Sequence, residues 1–170
     1  MRIEPATPAH AAAIAAIYDE AARTSPATFD LEGHPPDWWA DAIAAGDYPF
    51  FAATGDRRLK AGGPGGGELL GFARAGLHKV KPAYGTTCET SVYVAPQARG
   101  RGAGRALYEA LLAELEASPL LLAVAGITEP NPVSVALHVA CGFTPVGTFH
   151  NVGRKLGRTW DVTWYERPLA

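Results

Sequence analysis

The run Arg99-Gly-Arg-Gly-Ala-Gly-Arg105 alternates a permissive backbone with fixed positive charge. Glycine lets the main chain approach an anion with no side chain in the way, and arginine pairs bidentately with phosphate oxygens. The run stands between a strand-like stretch, Ser91-Val-Tyr-Val94, and a helical pattern that starts at Ala103. In that pattern Leu107, Ala110 and Leu111 recur at three- and four-residue spacing, while Arg105, Glu109 and Glu116 fall opposite. A helix start aims unpaired N–H groups and the positive end of its dipole at whatever precedes it. The implied chemistry is phosphate binding at a strand–turn–helix junction. Two common versions do not match. A P-loop needs Gly-x-x-x-x-Gly-Lys followed by Ser or Thr, and that string is absent. The dinucleotide fingerprint needs Gly-x-Gly-x-x-Gly, and here Arg105 holds the last position after Gly100 and Gly102.

The elements that must position this turn can be read in order. An opening strand at Arg2–Pro5 leads to a Thr7-Pro8 helix start and a helix presenting Ile14, Ile17, Tyr18 and Ala21 on one side. A second helix begins near Pro36 and buries one of Trp38 and Trp39 with Ile43. Residues 48–54 and 68–78 read as antiparallel strands flanking a Gly-, Pro- and charge-rich stretch, Gly55 to Glu68, expected to be an exposed loop. The helix after the turn stops near Ser118-Pro119, and a buried strand over 120–125 follows. Asn131 as N-cap and Pro132 at the first position open another helix, which Gly142 stops. Two late strands fall near 143–151 and 158–167. This order makes one α/β domain over residues 1–170, with helices on both faces of a mixed sheet.

Composition narrows the partners. The 170 residues are 48% apolar and 19% charged, with no apolar run of membrane-spanning length. Lys and Arg total 15 against 17 Asp and Glu, so a net charge of -2 gives no general attraction to nucleic acid or to a membrane, and any anion site is local. Cys88 and Cys141 build no disulfide framework, and His10, His34, His78 and His150 have no companion at metal-ligand spacing, so no metal is expected. The N-terminus lacks a basic-then-apolar signal pattern, and a reducing cytoplasm is the expected location.

Arg99-x-x-Gly102-x-Gly104 resembles the acetyl-coenzyme A signature of the GNAT superfamily of N-acetyltransferases. The segment Glu129 to Phe143 is similar to that family's second motif, in which an Asn precedes a helix and a Gly-Phe pair follows it. Four strings, IYDEAARTSPATFD at 17–30, KPAY at 81–84, CETSVYV at 88–94 and VGRKLGRTWDVTWYE at 152–166, look closest to the phosphinothricin and methionine sulfoximine N-acetyltransferases. The resemblance covers nearly the whole chain, interrupted chiefly by the Gly55 to Glu68 stretch. It implies a GNAT fold whose mixed, mostly antiparallel sheet is splayed at the cofactor site. It also implies acetyl-CoA as cosubstrate, a small amine substrate of the amino-acid-analogue type, and a homodimer, for which Trp160, Trp164 and Tyr165 are candidate interface residues.

Acetyl transfer to an amine needs a neutral amine, a seat for the developing oxyanion and a proton for the departing thiolate. The resemblance makes Glu89 the general base, and partial burial would raise its pKa towards that task. Cys88 offers a rival thiol nucleophile, but neighbours on a strand face opposite sides and no histidine adjoins it in sequence, so direct attack is expected. The backbone of Val92, Tyr93 and Val94 is expected to meet the acetylated arm, with the N–H groups of Tyr93 and Val94 on its carbonyl. Arg99, Gly100, Arg101, Gly102, Ala103, Gly104, Arg105 and Asn131 are assigned to the rest of the cofactor. His138 stands where many members of the superfamily carry an acid tyrosine, and is a candidate acid and cofactor contact. Lys79, Lys81 and Tyr84 form the candidate carboxylate-binding group, while Phe29, Asp30 and Thr90 line the pocket with Glu89. The sequence departs from the family where arginines often replace Lys79 and Lys81, and at the atypical Glu32-Gly-His-Pro-Pro-Asp-Trp-Trp39. Two other readings share these residues. One is an acetyltransferase for a protein N-terminus or an aminoglycoside, and the other is a non-catalytic module that holds coenzyme A or RNA phosphate, with the net charge counting against RNA.

Overall fold

An extended segment satisfies its backbone only by pairing, and the extended segments of this chain pair into one sheet. The computed structural model describes residues 1–55 and 67–169. Its strands are β1 (Arg2–Pro5), β2 (Phe50–Gly55), β3 (Glu68–Leu77), β4 (Thr87–Val94), β5 (Leu122–Glu129), β6 (Thr144–Lys155) and β7 (Arg158–Pro168). They lie in the order β1-β2-β3-β4-β5-β7-β6. Every neighbouring pair is antiparallel except β4 and β5. The Gly-rich stretch expected as a loop falls mainly on residues 56–66, outside the described residues.

Helices cover both faces, and each face has its own core. On one side α1 (Ala11–Thr24) buries Ile14, Tyr18 and Ala22, and α2 (Pro36–Ala45) buries Trp39, against Ala52 and Phe72 of the sheet. Only one indole of the Trp38-Trp39 pair goes inside: Trp39 is fully buried and Trp38 is 40% exposed. On the other side α3 (Ala103–Glu116) packs Leu107, Tyr108, Leu111 and Leu115 onto Ala73, Ala75, Cys88, Ala123 and Ala125. Alanines on the sheet let α3 approach closely, and truncating a buried leucine such as Leu111 costs about 2–5 kcal/mol. Val135 of α4 (Pro132–Ala140) joins this second core.

Two boundaries differ from the sequence expectation. The apolar run 120–125 suggests a strand there, yet β5 starts at Leu122 and continues to Glu129, because β7 pairs with it residue by residue from Leu122↔Pro168 to Glu129↔Asp161. Pairing partners, not hydrophobicity, set its length. Likewise β6 runs on to Lys155 through an irregularity between Phe149 and Gly153. Leu156 and Gly157, both at positive φ, then turn the chain into β7 in the manner of a tight primed hairpin turn.

One feature of the sheet prepares the site. The strands β4 and β5 are paired only at Thr87, Cys88 and Glu89 against Leu122, Ala123 and Val124. Both strands continue, β4 along β3 to Val94 and β5 along β7 to Glu129. The sheet therefore splays after Glu89. A Cβ on Gly104 would stand 3.3 Å from Leu137 Cδ2 and 3.5 Å from Val94 Cγ2. That closeness wedges the first turn of α3 between the end of β4 and α4.

Candidate active site

The direction of each β4 backbone group follows from one bond beyond the strand. The Ala95 N–H donates to Leu70 O on β3, at 2.9 Å. Backbone direction alternates along a strand, so the N–H of Tyr93 also turns to β3, while those of Val92 and Val94 face the side from which β5 has departed. The donors on the open side are thus Val92 and Val94, and the expected Tyr93 N–H is spent in the β3 ladder. The Tyr93 side chain instead stacks among Tyr18 and Phe72 under α1.

Past Val94 the chain enters the turn. Gly100 and Gly102 adopt φ of 73° and 78°, a region that glycine occupies without penalty. The first helical bond of α3 joins Ala106 N–H to Gly102 O, and no side chain caps this end. The N–H groups of Ala103, Gly104 and Arg105 therefore have no partner within the helix and point forward. Of the three arginines, Arg105 forms an ion pair with Glu109 at 2.8 Å. Arg99 leans back to Val94 O at 3.4 Å, and Arg101 is exposed. Asn131 caps α4 by accepting the Ser134 N–H at 3.1 Å, with Pro132 at the first helical position as its sequence indicates.

Glu89 projects from β4 to the α1–α2 face. It is half exposed, and desolvation lifts its pKa above the ordinary glutamate value, opposed by His78, Lys79 and Arg74. His78 Nδ1 lies 3.8 Å from Glu89 Oε2 and has no hydrogen bond among the described residues. Its ring is held edge-on by Tyr84 and Trp164. Tyr84 and Lys79 are thus brought towards Glu89, whereas Lys81 is exposed at the start of a short 3-10 turn. The loop after α1 closes over the same face. Tyr18 donates to Asp30 Oδ2 at 2.6 Å, and the buried Lys155 of β6 donates to Thr28 O at 2.6 Å and Asp30 O at 2.7 Å. Phe29 rests on Gly153, where a Cβ would come within 2.2 Å of its ring.

Thr90 and His138 lie on the other side of the sheet, away from Glu89. Buried Thr90 is 3.2 Å from the Tyr108 hydroxyl, which is 2.9 Å from His138 Nε2. His138 Nδ1 lies 2.7 Å from Ser134 O, a group that can only accept, so Nδ1 carries the proton. Burial lowers the His138 pKa and keeps the ring neutral, and Nε2 then accepts from Tyr108. In this arrangement Nε2 has no proton to give. Cys88 shares that face, fully buried, with its thiol pushed up to about 11 by desolvation.

Arg74 was not among the residues picked from sequence, and His78 was weighed only as a metal ligand. Both belong to the Glu89 group through the register Arg74↔Ser91 and Gly76↔Glu89, which one unpaired sequence does not display. Among the described residues, no His, Cys, Asp and Glu side chains cluster as a metal site, and no helix is long and apolar enough to cross a membrane.

The profile of the acetyltransferase (GNAT) family matches residues 14–143. The chain belongs to this family. The GNAT chain is 45% identical over 157 residues to the phosphinothricin N-acetyltransferase of Streptomyces coelicolor, covering 90% of this chain and 87% of that protein. To the L-methionine sulfoximine/L-methionine sulfone acetyltransferase of Pseudomonas paraeruginosa it is 35% identical over 131 residues, 77% of this chain and 71% of that one. A GNAT superfamily phosphinothricin acetyltransferase from Sinorhizobium meliloti, solved in complex with acetyl-CoA, superposes with a TM-score of 0.89 at 30% identity, covering 99% of this chain and 88% of that chain. The splayed mixed sheet is accordingly a GNAT sheet, as the motifs implied.

Proposed function

We propose that this GNAT chain transfers the acetyl group of acetyl-CoA to the primary amine of a small amino-acid analogue such as phosphinothricin or methionine sulfoximine, by direct attack in a ternary complex. The observation that carries the reading is a convergence at the splay. The N–H groups of Val92 and Val94 on the open side, the uncapped start of α3 and the raised carboxylate of Glu89 all adjoin the point where β4 and β5 part. Acetyl-CoA, when bound, supplies the thioester to be attacked. The N–H groups of Ala103, Gly104 and Arg105, with Arg99 and Arg101, hold its phosphates, and the positive φ of Gly100 and Gly102 shapes the turn that delivers them. Val92 and Val94 N–H groups answer the negative charge that develops on the acetyl oxygen.

Glu89 takes the proton from the amine, and its raised pKa brings it closer to the match that efficient transfer requires. The new C–N bond forms as the thioester C–S bond breaks, and coenzyme A leaves as a thiolate that takes its proton from solvent. Cys88 takes no part, since its thiol faces the other core and stays protonated. His138 is a buried hydrogen-bonding residue that ties α4 to Tyr108 of α3. The names of the relatives, both acting on amino-acid analogues, support this substrate class. The cations around Glu89, namely Arg74 and Lys79, disfavour an aminoglycoside or a protein N-terminus, which are themselves cationic. Two free thiols suit a reducing cytoplasm.

The test is thiol release from acetyl-CoA with phosphinothricin, methionine sulfoximine, an aminoglycoside and a short peptide. Turnover is expected with the first two. Turnover confined to the last two would replace the substrate class, and tight coenzyme A binding with no turnover on any amine would leave only the binding-module reading.

A further inference from the structure

The geometry points to Arg74 as the residue that holds the α-carboxylate of the amine substrate, a specificity-determining role beside the base. The inference rests on the reading of Glu89 as that base.

Arg74 lies on β3 with its side chain on the Glu89 face. Its guanidinium folds along the strand over Gly76, where a Cβ would come within 3.0 Å of Arg74 Nη2. Gly76 is the register partner of Glu89, so the cation lies directly across the strand pair from the base. Gly76 has no side chain to intervene. The rings of Trp38 and Trp39 each stand 5.8 Å from the guanidinium carbon, within cation–π range. The second of these is fully buried in the core. Among the described residues, no carboxylate or carbonyl forms an ion pair or hydrogen bond with Arg74. Burial is the largest influence on the guanidinium and lowers its pKa, opposed only in part by Tyr18, Tyr93 and Glu89. A partly buried, oriented and unpaired arginine is a receptor for an anion, and its fork matches a carboxylate.

The choice of anion follows from bond lengths. In an α-amino acid the carboxylate carbon is two bonds from the nitrogen, so the cation that holds it must adjoin the group that deprotonates the amine. Arg74 adjoins Glu89 in this way. Lys79 also acts on Glu89, but it is exposed, follows the end of β3 and offers a point charge with no fork, and Lys81 is exposed beyond it. A phosphinate or sulfoximine head lies several bonds further from the amine than the carboxylate does. The atypical segment ending in Trp38-Trp39 thereby gains a purpose, which is to clamp a cation in mid-strand.

The experiment compares wild type with Arg74→Met and Arg74→Lys on L-phosphinothricin and on its α-carboxamide. Calorimetric Kd is measured as well as kcat and KM. For the acid, Arg74→Met is expected to raise KM and Kd about 10- to 100-fold, the usual size of a lost charge-assisted contact, with kcat changed far less. For the carboxamide the variant and wild type should agree within about threefold, and Arg74→Lys should recover part of the loss. Thermal melting of both variants checks that the fold survives, and Kd for acetyl-CoA should not move. Equal losses on acid and carboxamide, or none on either, would overturn the assignment. Binding of the acid without turnover would reject the proposed activity and leave the Kd comparison to judge Arg74. Absence of any binding of the acid to wild type would reject both.

Discussion

As the proposed base, Glu89 has to be ionised to accept a proton, and it is held where ionisation is disfavoured. Because folding raises its pKa, the folded state binds the proton more tightly than the unfolded chain. The stability it contributes therefore falls as pH rises through the interval between its unfolded and folded values. Two results follow. The variant Glu89→Gln should lose about 10²- to 10⁴-fold in kcat, the usual worth of a positioned base, yet melt no lower than wild type at pH 7. The acidic limb of the wild-type kcat/KM profile should sit above the range of an ordinary glutamate and vanish in the variant; a limb that survives the substitution would show that another group is titrating. Glu89 was legible in the sequence because it sits at a fixed offset from the SVYV run. Arg74 and His78 were not, for a physical reason: which strand residues share a face depends on register, and register is a property of pairs of strands. Thr90 shows the same limit. It is one residue from Glu89 and consequently points to the opposite core, where Tyr108 meets it.

At the scale of elements, the junction of β4 with α3 was legible as a strand, a glycine turn and a helix start because its signal is local, made of glycine, arginine and helix periodicity. Gly102 holds a φ of 78° with open space around the position of a Cβ. Alanine there meets no clash but does meet the left-handed backbone, at a cost of about 1–2 kcal/mol. Gly102→Ala is expected to lower the melting temperature modestly and to raise the KM for acetyl-CoA several-fold while the KM for the amine stays put. An unchanged acetyl-CoA KM would move the phosphate seat elsewhere. By contrast the extents of β5 and β6 escaped the sequence, since their last residues are held by β7 rather than by their own hydrophobicity.

Across the whole molecule the two faces divide the labour: Glu89, Arg74 and the α1–α2 aromatic group occupy one, and the second core with Tyr108 and His138 backs the other. The outermost strand, β6, exposes Val146, Phe149 and Val152, each by more than half. Of the residues expected at an interface, Tyr165 is buried, Trp164 meets the His78 ring, and Trp160 is covered by Arg158 at 3.6 Å and donates its N–H to Lys155 O at 2.8 Å. We read the β6 face as the contact with a second copy of the chain. Sedimentation should give a dimer mass for wild type and a monomer for Phe149→Glu; a wild type that stays monomeric at high concentration would discard the contact. The parting of β4 from β5 has one more consequence, for how the chain can change over time. The contacts offered by Val92 and Val94 are main-chain N–H groups, common to all residues but one. Substitution can recolour the walls of that gap freely, and the only exchange that removes a donor outright is to proline, so this half of the site is written in the backbone and is nearly silent to drift.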